Sequence, residues 1–506
     1  MSAKYNSEVS VICHISQRGT INGRSKPVLT QKSTSGYTPT PFTPSNDALL
    51  PLKRHDDGMP QLPSPVMALI IIAIVALTIR VGFGIAIQRQ LDSQPGRFDL
   101  IEGDAAGYWM LAQKIVTGQP YEIYTPPRQV HRMPGFPAIL ATSIAFFGDK
   151  PFPARMILAV IGTASCMMVY VLTWQLFNTK IAFTAGMWAS ISLPLAIFSV
   201  VFLSETAFAF AVLINLSFFI AWWKAKSVRS QILFAILTGI GVALATYQRP
   251  SWYPMIVLFA LASIFRSFSP GEKVAESSKP DEGSLQTRPK PLILARLLPP
   301  LALFLAFTLS MAPWIYRNYE VTNKFILTTL WMGPSLYDGF RPDATGDSDM
   351  RFFEEDNLMA TMSEYEMDQE YKRRGWNYAF THPAHAIELA FIKAYRYWKP
   401  WPNASQFGGF GPTLAVAVHA TPLLLLAVLG AWWVFTSFEF SREQKLLIAV
   451  VTIAPITFFG LLHMLFVSSL RYRLPLEYPL MSLSAYALHL ILGSLTKASK
   501  TSQIPA

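Results

Sequence analysis

Long apolar runs, separated by shorter polar segments, recur along the chain from about residue 65 to residue 493. An α-helix rises about 1.5 Å per residue, so a run of about 20 apolar residues crosses a hydrocarbon core about 30 Å thick. The pattern predicts an all-α fold, a polytopic bundle of about ten transmembrane helices with extracytoplasmic loops that carry interfacial helices.

Two of the apolar blocks are too long to be single spans. A helix over residues 181–223 would extend about 65 Å, roughly twice the thickness of a bilayer, so it must turn back, and Pro194 and Ser204-Glu205 mark the turn. Arg249-Pro250 divides the block 231–265 for the same reason, because a charge followed by proline is unfavourable in the middle of a span. The predicted spans are 65–87, 153–176, two within 181–223, two within 231–265, 292–316, 412–436, 445–467 and 474–493.

Three other segments are predicted to be helical without spanning the membrane. Residues 134–147 are apolar but too short to cross, which indicates an interfacial or re-entrant helix. Residues 362–380 and 383–398 have helical patterns, and the second has the apolar spacing and basic residues of a helix that lies on the membrane surface.

The polar segments predict how the chain is organised around the membrane. Lys53 and Arg54 precede the first span, and basic residues concentrate on the cytoplasmic side of membrane proteins. We therefore expect a multi-pass protein of the cytoplasmic (inner) membrane with both termini in the cytoplasm. The predicted parts are a disordered basic cytoplasmic tail (1–63), an N-terminal transmembrane module (64–316) with a first extracytoplasmic loop (89–133) and a cytoplasmic linker (267–291), a large extracytoplasmic loop (317–411), C-terminal transmembrane spans (412–493) and a cytoplasmic tail (494–506).

Composition supports a membrane protein and argues against nucleic acid as a partner. Of the 506 residues, 52% are apolar and only 14% are charged, where soluble domains average about a quarter charged. The net charge of +11 comes from basic residues in short loops between apolar runs, where they serve as orientation signals. Cys13 and Cys166 lie in a polar tail and in an apolar run, so no disulfide framework or cysteine metal site is indicated.

The predicted topology brings several charged residues, far apart in sequence, to the outer face. A carboxylate near several arginines at a membrane surface suits a substrate that carries phosphate and a nucleophile that must be activated. The candidate residues are Glu102, Asp104, His131, Arg132, Glu205, Arg249, Arg317, Arg471 and Arg473.

Some of these candidates also have an ordinary structural explanation. Asp104 would be a solvated loop acid, although Tyr108 and Trp109 follow it and could form a sugar platform. Arg471 and Arg473 would be arginines that anchor the start of a span at the interface. His382 and His385 are three residues apart and could share a metal, but the HPAH run is typical of a helix start, so the sequence leaves any divalent metal open.

Four stretches together resemble the polytopic GT-C glycosyltransferases of the protein O-mannosyltransferase and aminoarabinose-transferase type, especially their bacterial members. The stretches are GDAAGYWMLAQKIVTGQPY with HRMPGFPAIL, then FLSETAF, PWIYRNYEVTNKF and RYRLPLEYPLMSLSAYAL, and their order and topology agree across residues 65–493.

The resemblance implies transfer of a sugar from a polyprenyl-phosphate carrier, with Asp104 as the catalytic carboxylate. Arg132, Arg471 and Arg473 best match the family's basic positions and would hold the lipid phosphate, whereas Arg249 and Arg317 match less closely. Relatives often have an adjacent Asp-Glu pair in the first loop, which this chain lacks, so the resemblance does not settle whether a metal takes part. The acceptor, whether protein, lipid or glycan, stays open.

Two other functions compete with glycosyl transfer. A transporter or flippase for a lipid-linked glycan would also need many spans and a basic cavity, but transporters usually have internal repeats and charges near the membrane midplane, which this sequence does not display. The second alternative is a non-catalytic relative that keeps the fold.

Overall fold

The computed structural model describes residues 63–94, 96–268, 293–403 and 408–501, and most of these residues are in helices. Apart from their ends, the predicted tail 1–63 and the linker 267–291 lie outside the described residues. The helices are α1 (Pro65–Asp92), α2 (Glu102–Val116), α3 (Gly135–Phe147), α4 (Pro151–Leu176), α5 (Thr179–Ile191), α6 (Leu193–Phe198), α7 (Glu205–Lys224), α8 (Val228–Gln248), α9 (Met255–Phe268), α10 (Ile293–Thr322), α11 (Met332–Phe340), α12 (Phe352–Asp356), α13 (Leu358–Thr361), α14 (Glu364–Thr381), α15 (Pro383–Trp398), α16 (Phe410–Thr436), α17 (Arg442–Ile448), α18 (Ala454–Leu465) and α19 (Leu470–Thr501).

Among the described residues, eight helices are long and apolar enough to cross a membrane, fewer than the ten spans predicted. They are α1, α4, α7, α8, α10, α16, the continuous segment from α17 through a π-helical turn to α18, and α19. The fold class is as predicted, an all-helical polytopic bundle. The other two predicted spans correspond to α5 and α9, whose 13 and 14 residues rise only about 20 Å each.

The chain between α4 and α7 nevertheless connects opposite ends of the bundle. Phe177, just before α5, stacks on Tyr486 deep along α19, whereas Glu205, at the start of α7, contacts Arg471 at the beginning of α19. The chain therefore crosses between residues 177 and 205 as two pieces, α5 and α6, rather than as one long helix. The predicted breaks explain this, because α5 ends just before Ser192-Leu193-Pro194 and α7 begins at Glu205.

A buried arginine compensates for the break between α5 and α6. A broken helix leaves backbone carbonyls without partners, and lipid offers no water to satisfy them. Arg80 of α1, which is fully buried, donates to the carbonyl oxygens of Ala189 and Ser190 at 3.3 and 3.2 Å and to the Ser199 hydroxyl at 3.2 Å. The break is thus a stable feature of the fold, and it places Ser199–Glu205 as a turn at one end of the bundle.

Helix α19 lies at the centre of the bundle and packs against α4, α5, α7 and α16. Its apolar side chains belong to the main hydrophobic core together with those of α4, α7 and α8. The helix continues to Thr501, so residues 494–501 of the predicted tail extend the last span as helix. Because α19 is central, residues in its first turn contact several other elements at that end of the bundle.

The loops are more helical than the sequence pattern indicates. Helices α14 and α15 match the predictions 362–380 and 383–398, and α3 matches the short apolar segment 134–147. By contrast, α2 in the first loop and the short helices α11 to α13 in the large loop were not expected. The first and large loops touch each other, since the amide of Leu330 donates to the carbonyl of Val130 at 3.0 Å.

This contact yields a topological prediction. Because the two loops meet, reporters fused after residue 110 and after residue 340 should give the same, external, signal, and a reporter fused after residue 440 should read as cytoplasmic. A paired alkaline phosphatase and green fluorescent protein fusion series in bacterial cells measures this. A cytoplasmic signal at residue 340 would contradict the predicted orientation.

Candidate functional site

Asp104 lies in the first turn of α2, and two arginines hold its carboxylate. Its Oδ1 accepts a hydrogen bond from Arg132 at 2.7 Å, and its Oδ2 accepts one from Arg471 at 2.6 Å. The side chain is 25% exposed. The N-terminal end of a helix also favours a negative charge, so α2 and both arginines stabilise the ionised form.

Glu205 is the first residue of α7 and is the second carboxylate at this end of the bundle. Its Oε1 accepts a hydrogen bond from Arg249 at 2.8 Å and forms an ion pair with Nε of Arg471 at 3.0 Å. Arg249 also donates to the Ser204 hydroxyl at 3.1 Å. Glu205 is only 2% exposed, and such a buried charge is tolerated only when it is paired.

These contacts join five of the sequence candidates into one chain, Arg132, Asp104, Arg471, Glu205 and Arg249, which we call the ionic cluster. The residues come from the first loop, α2, α7, the end of α8 and the start of α19. The cluster contains three guanidinium groups and two carboxylates, so it has a formal charge of +1. Nε of Arg132 is buried without a hydrogen-bond acceptor, and Oε2 of Glu205 lacks a donor, whereas Nε of Arg471 has the Oε1 of Glu205 3.0 Å away.

Aromatic rings support the arginines from the side. The guanidinium of Arg132 lies 4.8 Å from the ring centre of Tyr108, and those of Arg249 and Arg471 each lie 5.2 Å from that of Tyr472. Tyr472 itself stacks on His463 at 4.3 Å. These cation–π contacts fix the planes of the three guanidinium groups.

The arginines control the ionisation of Asp104. Burial would raise the pKa of its carboxyl, but Arg132 and Arg471 outweigh burial and hold that pKa well below its usual range. Burial likewise opposes the charge of Arg132, yet Asp104 raises the pKa of that guanidinium above its ordinary value. In this arrangement Asp104 is fully ionised and is a weak base.

His131 stands beside the cluster without joining it. It is buried, and its ring packs against those of Tyr124 at 5.2 Å and Trp331 at 3.9 Å. Burial, reinforced by the charge of Arg132, places the pKa of His131 well below its ordinary value, so the ring is neutral. Its Nε2 has no hydrogen-bond partner.

Arg317 and Arg473 are held by other parts of the protein, away from the cluster. Arg317 donates to the carbonyls of Gln129 and Tyr121 at 2.6 and 2.9 Å and thereby supports the first loop. Arg473 is fully buried, and it donates to Glu477 and to the carbonyl of Tyr397 at 2.6 Å each. The arrangement assigns both arginines to the architecture, and it does not place them with the residues expected to hold phosphate.

The two arginines of α19 point to different sides for a geometric reason. Residues two positions apart on a helix are separated by about 200°, so Arg471 and Arg473 cannot share one ligand while both are helical. The two guanidinium groups that meet at Asp104 are instead those of Arg132, from the first loop, and Arg471, from the start of α19. Arg249 contributes the third guanidinium through Glu205.

Several other sequence expectations can be located in the structure. Trp109 is buried, bonds Asp149 through its indole N–H at 2.9 Å and stacks on Phe202, so only Tyr108 of the expected aromatic pair is beside the cluster. His385 bonds the Tyr378 hydroxyl and His382 bonds Thr381. Within the described ranges, no three His, Cys, Asp or Glu side chains are arranged to hold a metal ion.

Residues 131–272 match a protein-family model described as dolichyl-phosphate-mannose-protein mannosyltransferase. The matched segment includes His131, Arg132, Glu205 and Arg249. A search of the curated proteins found no match to the chain.

Solved structures with a similar fold include an oligosaccharyltransferase of Archaeoglobus fulgidus in the apo form, with a TM-score of 0.53 and 15% sequence identity. That match covers 87% of this chain and 52% of the archaeal protein, so this chain spans about half the length of that relative. ArnT from Cupriavidus metallidurans bound to undecaprenyl phosphate gives a TM-score of 0.38 and 11% identity over 84% of this chain and 78% of ArnT. At 15% identity, the likeness to the archaeal oligosaccharyltransferase describes a shared fold alone.

Proposed function

We propose that this chain, whose residues 131–272 match the dolichyl-phosphate-mannose-protein mannosyltransferase family model, belongs to the GT-C glycosyltransferases and transfers a sugar from a polyprenyl phosphate to a hydroxyl acceptor. The sequence motifs predicted this family. The site of transfer is the ionic cluster, and it faces the non-cytoplasmic side of the inner membrane. The donor is a polyprenyl-phosphate-linked sugar, and the acceptor is a protein, a lipid or a glycan.

The observation that carries the proposal is the excess of guanidinium groups over carboxylates in the ionic cluster. Arg132 and Arg471 bind opposite oxygens of Asp104, and Arg132 keeps one buried N–H, at Nε, without an acceptor. A phosphodiester has one negative charge and several acceptor oxygens, which matches the surplus charge of +1 and the spare donor of Arg132. The cluster also lies at the end of the spans, where a phosphate attached to a polyprenyl chain in the lipid can reach it.

Binding of the phosphate would change the chemistry of Asp104. The carboxylate is a weak base while both arginines hold it, because protonation would cost both ion pairs. When the donor phosphate accepts hydrogen bonds from Arg132 and Arg471, their hold on Asp104 weakens and its basicity rises. The base is thus activated only when the donor is in place.

The reaction then follows as a single displacement. The acceptor oxygen forms a bond to the anomeric carbon of the sugar, and its proton passes to the carboxylate of Asp104. The bond from the anomeric carbon to the phosphate oxygen breaks, and that oxygen keeps the electron pair. Arg132 and Arg471 stabilise the charge that develops on the phosphate, which leaves as polyprenyl phosphate.

Transport of a lipid-linked glycan agrees less well with the structure. Transporters place ionisable groups near the membrane midplane to form a pathway. Charged groups within the described spans, such as Arg80 and the pair Arg473–Glu477, are instead bonded to the protein itself, with Nη2 of Arg473 the one guanidinium nitrogen among them that has no partner. The groups with spare hydrogen-bonding capacity in the ionic cluster gather at one end of the bundle.

The first prediction concerns Asp104. Asp104→Asn keeps the size of the side chain but cannot take the acceptor proton, so kcat should fall about a hundredfold to ten-thousandfold while polyprenyl phosphate still binds. Purified protein with a synthetic polyprenyl-phosphate sugar and an acceptor mixture measures both quantities.

Glu122→Gln is the matched control for this prediction. Glu122 lies in the same loop and pairs with Lys114 at 3.6 Å outside the ionic cluster. Loss of this ion pair should leave kcat within about twofold of the parent value, because ion pairs near the surface contribute little to stability. Full activity in Asp104→Asn would overturn the assignment of the base.

The second prediction separates the two arginines of α19. Arg471→Lys should weaken binding of polyprenyl phosphate about tenfold to a hundredfold, because an ammonium cannot bridge Asp104, Glu205 and phosphate as a guanidinium does. Arg473→Met should leave that affinity within about threefold but lower the free energy of unfolding by about 3 kcal/mol, because Glu477 loses its main partner.

Binding assays on detergent-purified protein, together with thermal unfolding, distinguish these outcomes. The reverse result, with weak binding in Arg473→Met and normal binding in Arg471→Lys, would place the phosphate elsewhere than in the ionic cluster.

A further inference from the structure

Glu364, in the large loop, holds the backbone of the first loop just before Arg132. Its Oε2 accepts a hydrogen bond from the amide of Gln129 at 2.8 Å, and both of its oxygens accept one from the amide of Val130 at 3.1 Å. The side chain is buried, with a relative exposure of 9%. Two consecutive amides of the first loop therefore depend on one carboxylate about 235 residues away in sequence.

Other contacts fix the same short segment from different sides. Arg128 donates to the carbonyl of Met362, two residues before Glu364. The carbonyl of Val130 accepts from the amide of Leu330, and that of Gln129 accepts from Arg317. The segment that directly precedes Arg132 is therefore bonded to the large loop and to α10 at three successive residues.

The carboxylate of Glu364 is not needed to start its own helix. The first turn of α14 has a capping box in which Ser363 accepts from the amide of Glu366 and Glu366 accepts from the amide of Ser363. Glu364 is thus free to face the first loop, and its burial there would be unfavourable unless the amides of Gln129 and Val130 satisfied it.

We propose that Glu364 is a positioning residue for the donor site: by holding the amides of Gln129 and Val130, it sets the guanidinium of Arg132 against Asp104. The inference rests on the proposed function, because it makes affinity for the donor phosphate depend on a residue that does not touch the ionic cluster. The large loop thereby acts on donor binding through the first loop.

The test variant is Glu364→Gln. The amide side chain offers one acceptor oxygen, while its NH₂ group would oppose a backbone N–H, so one of the two loop amides loses its acceptor. The affinity for a synthetic polyprenyl phosphate should fall about tenfold. Glu364→Asp, which keeps the charge, should restore part of the affinity.

Glu366→Gln is the matched control, since Glu366 is on the same helical turn but contacts Ser363 rather than the first loop. The affinity of the Glu366→Gln protein for polyprenyl phosphate should equal that of the parent. Gel filtration and thermal unfolding of every variant establish that the binding differences come from folded protein.

A double variant distinguishes positioning of Arg132 from a general loss of structure. In an Arg132→Ala background, Glu364→Gln should cause no further loss of affinity, because the residue through which it acts is already absent. An undiminished effect in that background, or parental affinity in Glu364→Gln alone, would overturn the proposal.

Hydrogen exchange separates failure of this proposal from failure of the proposed function. Peptides that contain Gln129 and Val130 should exchange faster in Glu364→Gln than in the parent and the Glu366→Gln control. If the parent binds no polyprenyl phosphate, the proposed function fails, while exchange still reports whether Glu364 holds the loop. Unchanged exchange would show that it does not.

Discussion

Arg471 bonds Asp104 through one nitrogen and lies 3.0 Å from Glu205 through another, and this shared guanidinium joins the two carboxylates of the site. Without it, Glu205 would retain Arg249 and Asp104 would retain Arg132, as two separate pairs. With it, three positive groups share two negative ones, and the surplus charge is available at the end of the bundle. A site built in this way attracts a phosphate without leaving any arginine unpaired when the phosphate is absent.

The rest of the architecture keeps this arrangement in place at the end of the spans. The broken crossing of α5 and α6 ends in the turn that presents Glu205, and Arg80 satisfies the carbonyls that the break exposes. Arg155 is fully buried and pairs with Asp99 at 3.3 Å, and Asp99 also accepts from the amide of Phe202. These contacts tie the start of the first loop to the same turn. Buried arginines therefore support backbone that could not be satisfied by lipid.

Hydropathy and breaker residues predicted most of the fold because each span needs only local information. The break at Pro194, the turns before Glu205 and at Arg249-Pro250, and the helices α14 and α15 follow from patterns within about 20 residues. The residues of the ionic cluster were also predicted as candidates, since an acid or arginine near the end of a span is conspicuous in a sequence with so few charges. Which of these charged side chains pair with one another could not be predicted, because the pairing depends on how distant segments pack.

Two residues illustrate that limit. Arg473 follows the same local pattern as Arg471, and only the rotation of α19 turns it toward Glu477 and α15 instead of Asp104. Glu364 is one of several acids at the start of α14, and only the fold brings it to the amides of the first loop. Helical periodicity could have separated Arg471 from Arg473, whereas no local pattern in the sequence identifies Glu364.

Donor phosphate, in the proposed reaction, accepts hydrogen bonds from Arg132 and Arg471, weakens their hold on Asp104 and thereby activates the carboxylate. A cryo-electron microscopy structure with a non-transferable phosphonate analogue of a polyprenyl-phosphate sugar would make these contacts visible. We expect phosphonate oxygens within hydrogen-bonding distance of Arg132 and Arg471, with at least one oxygen of Asp104 released and directed toward the anomeric carbon. A phosphonate bound away from these arginines, or one bound with both ion pairs of Asp104 intact, would contradict this mechanism.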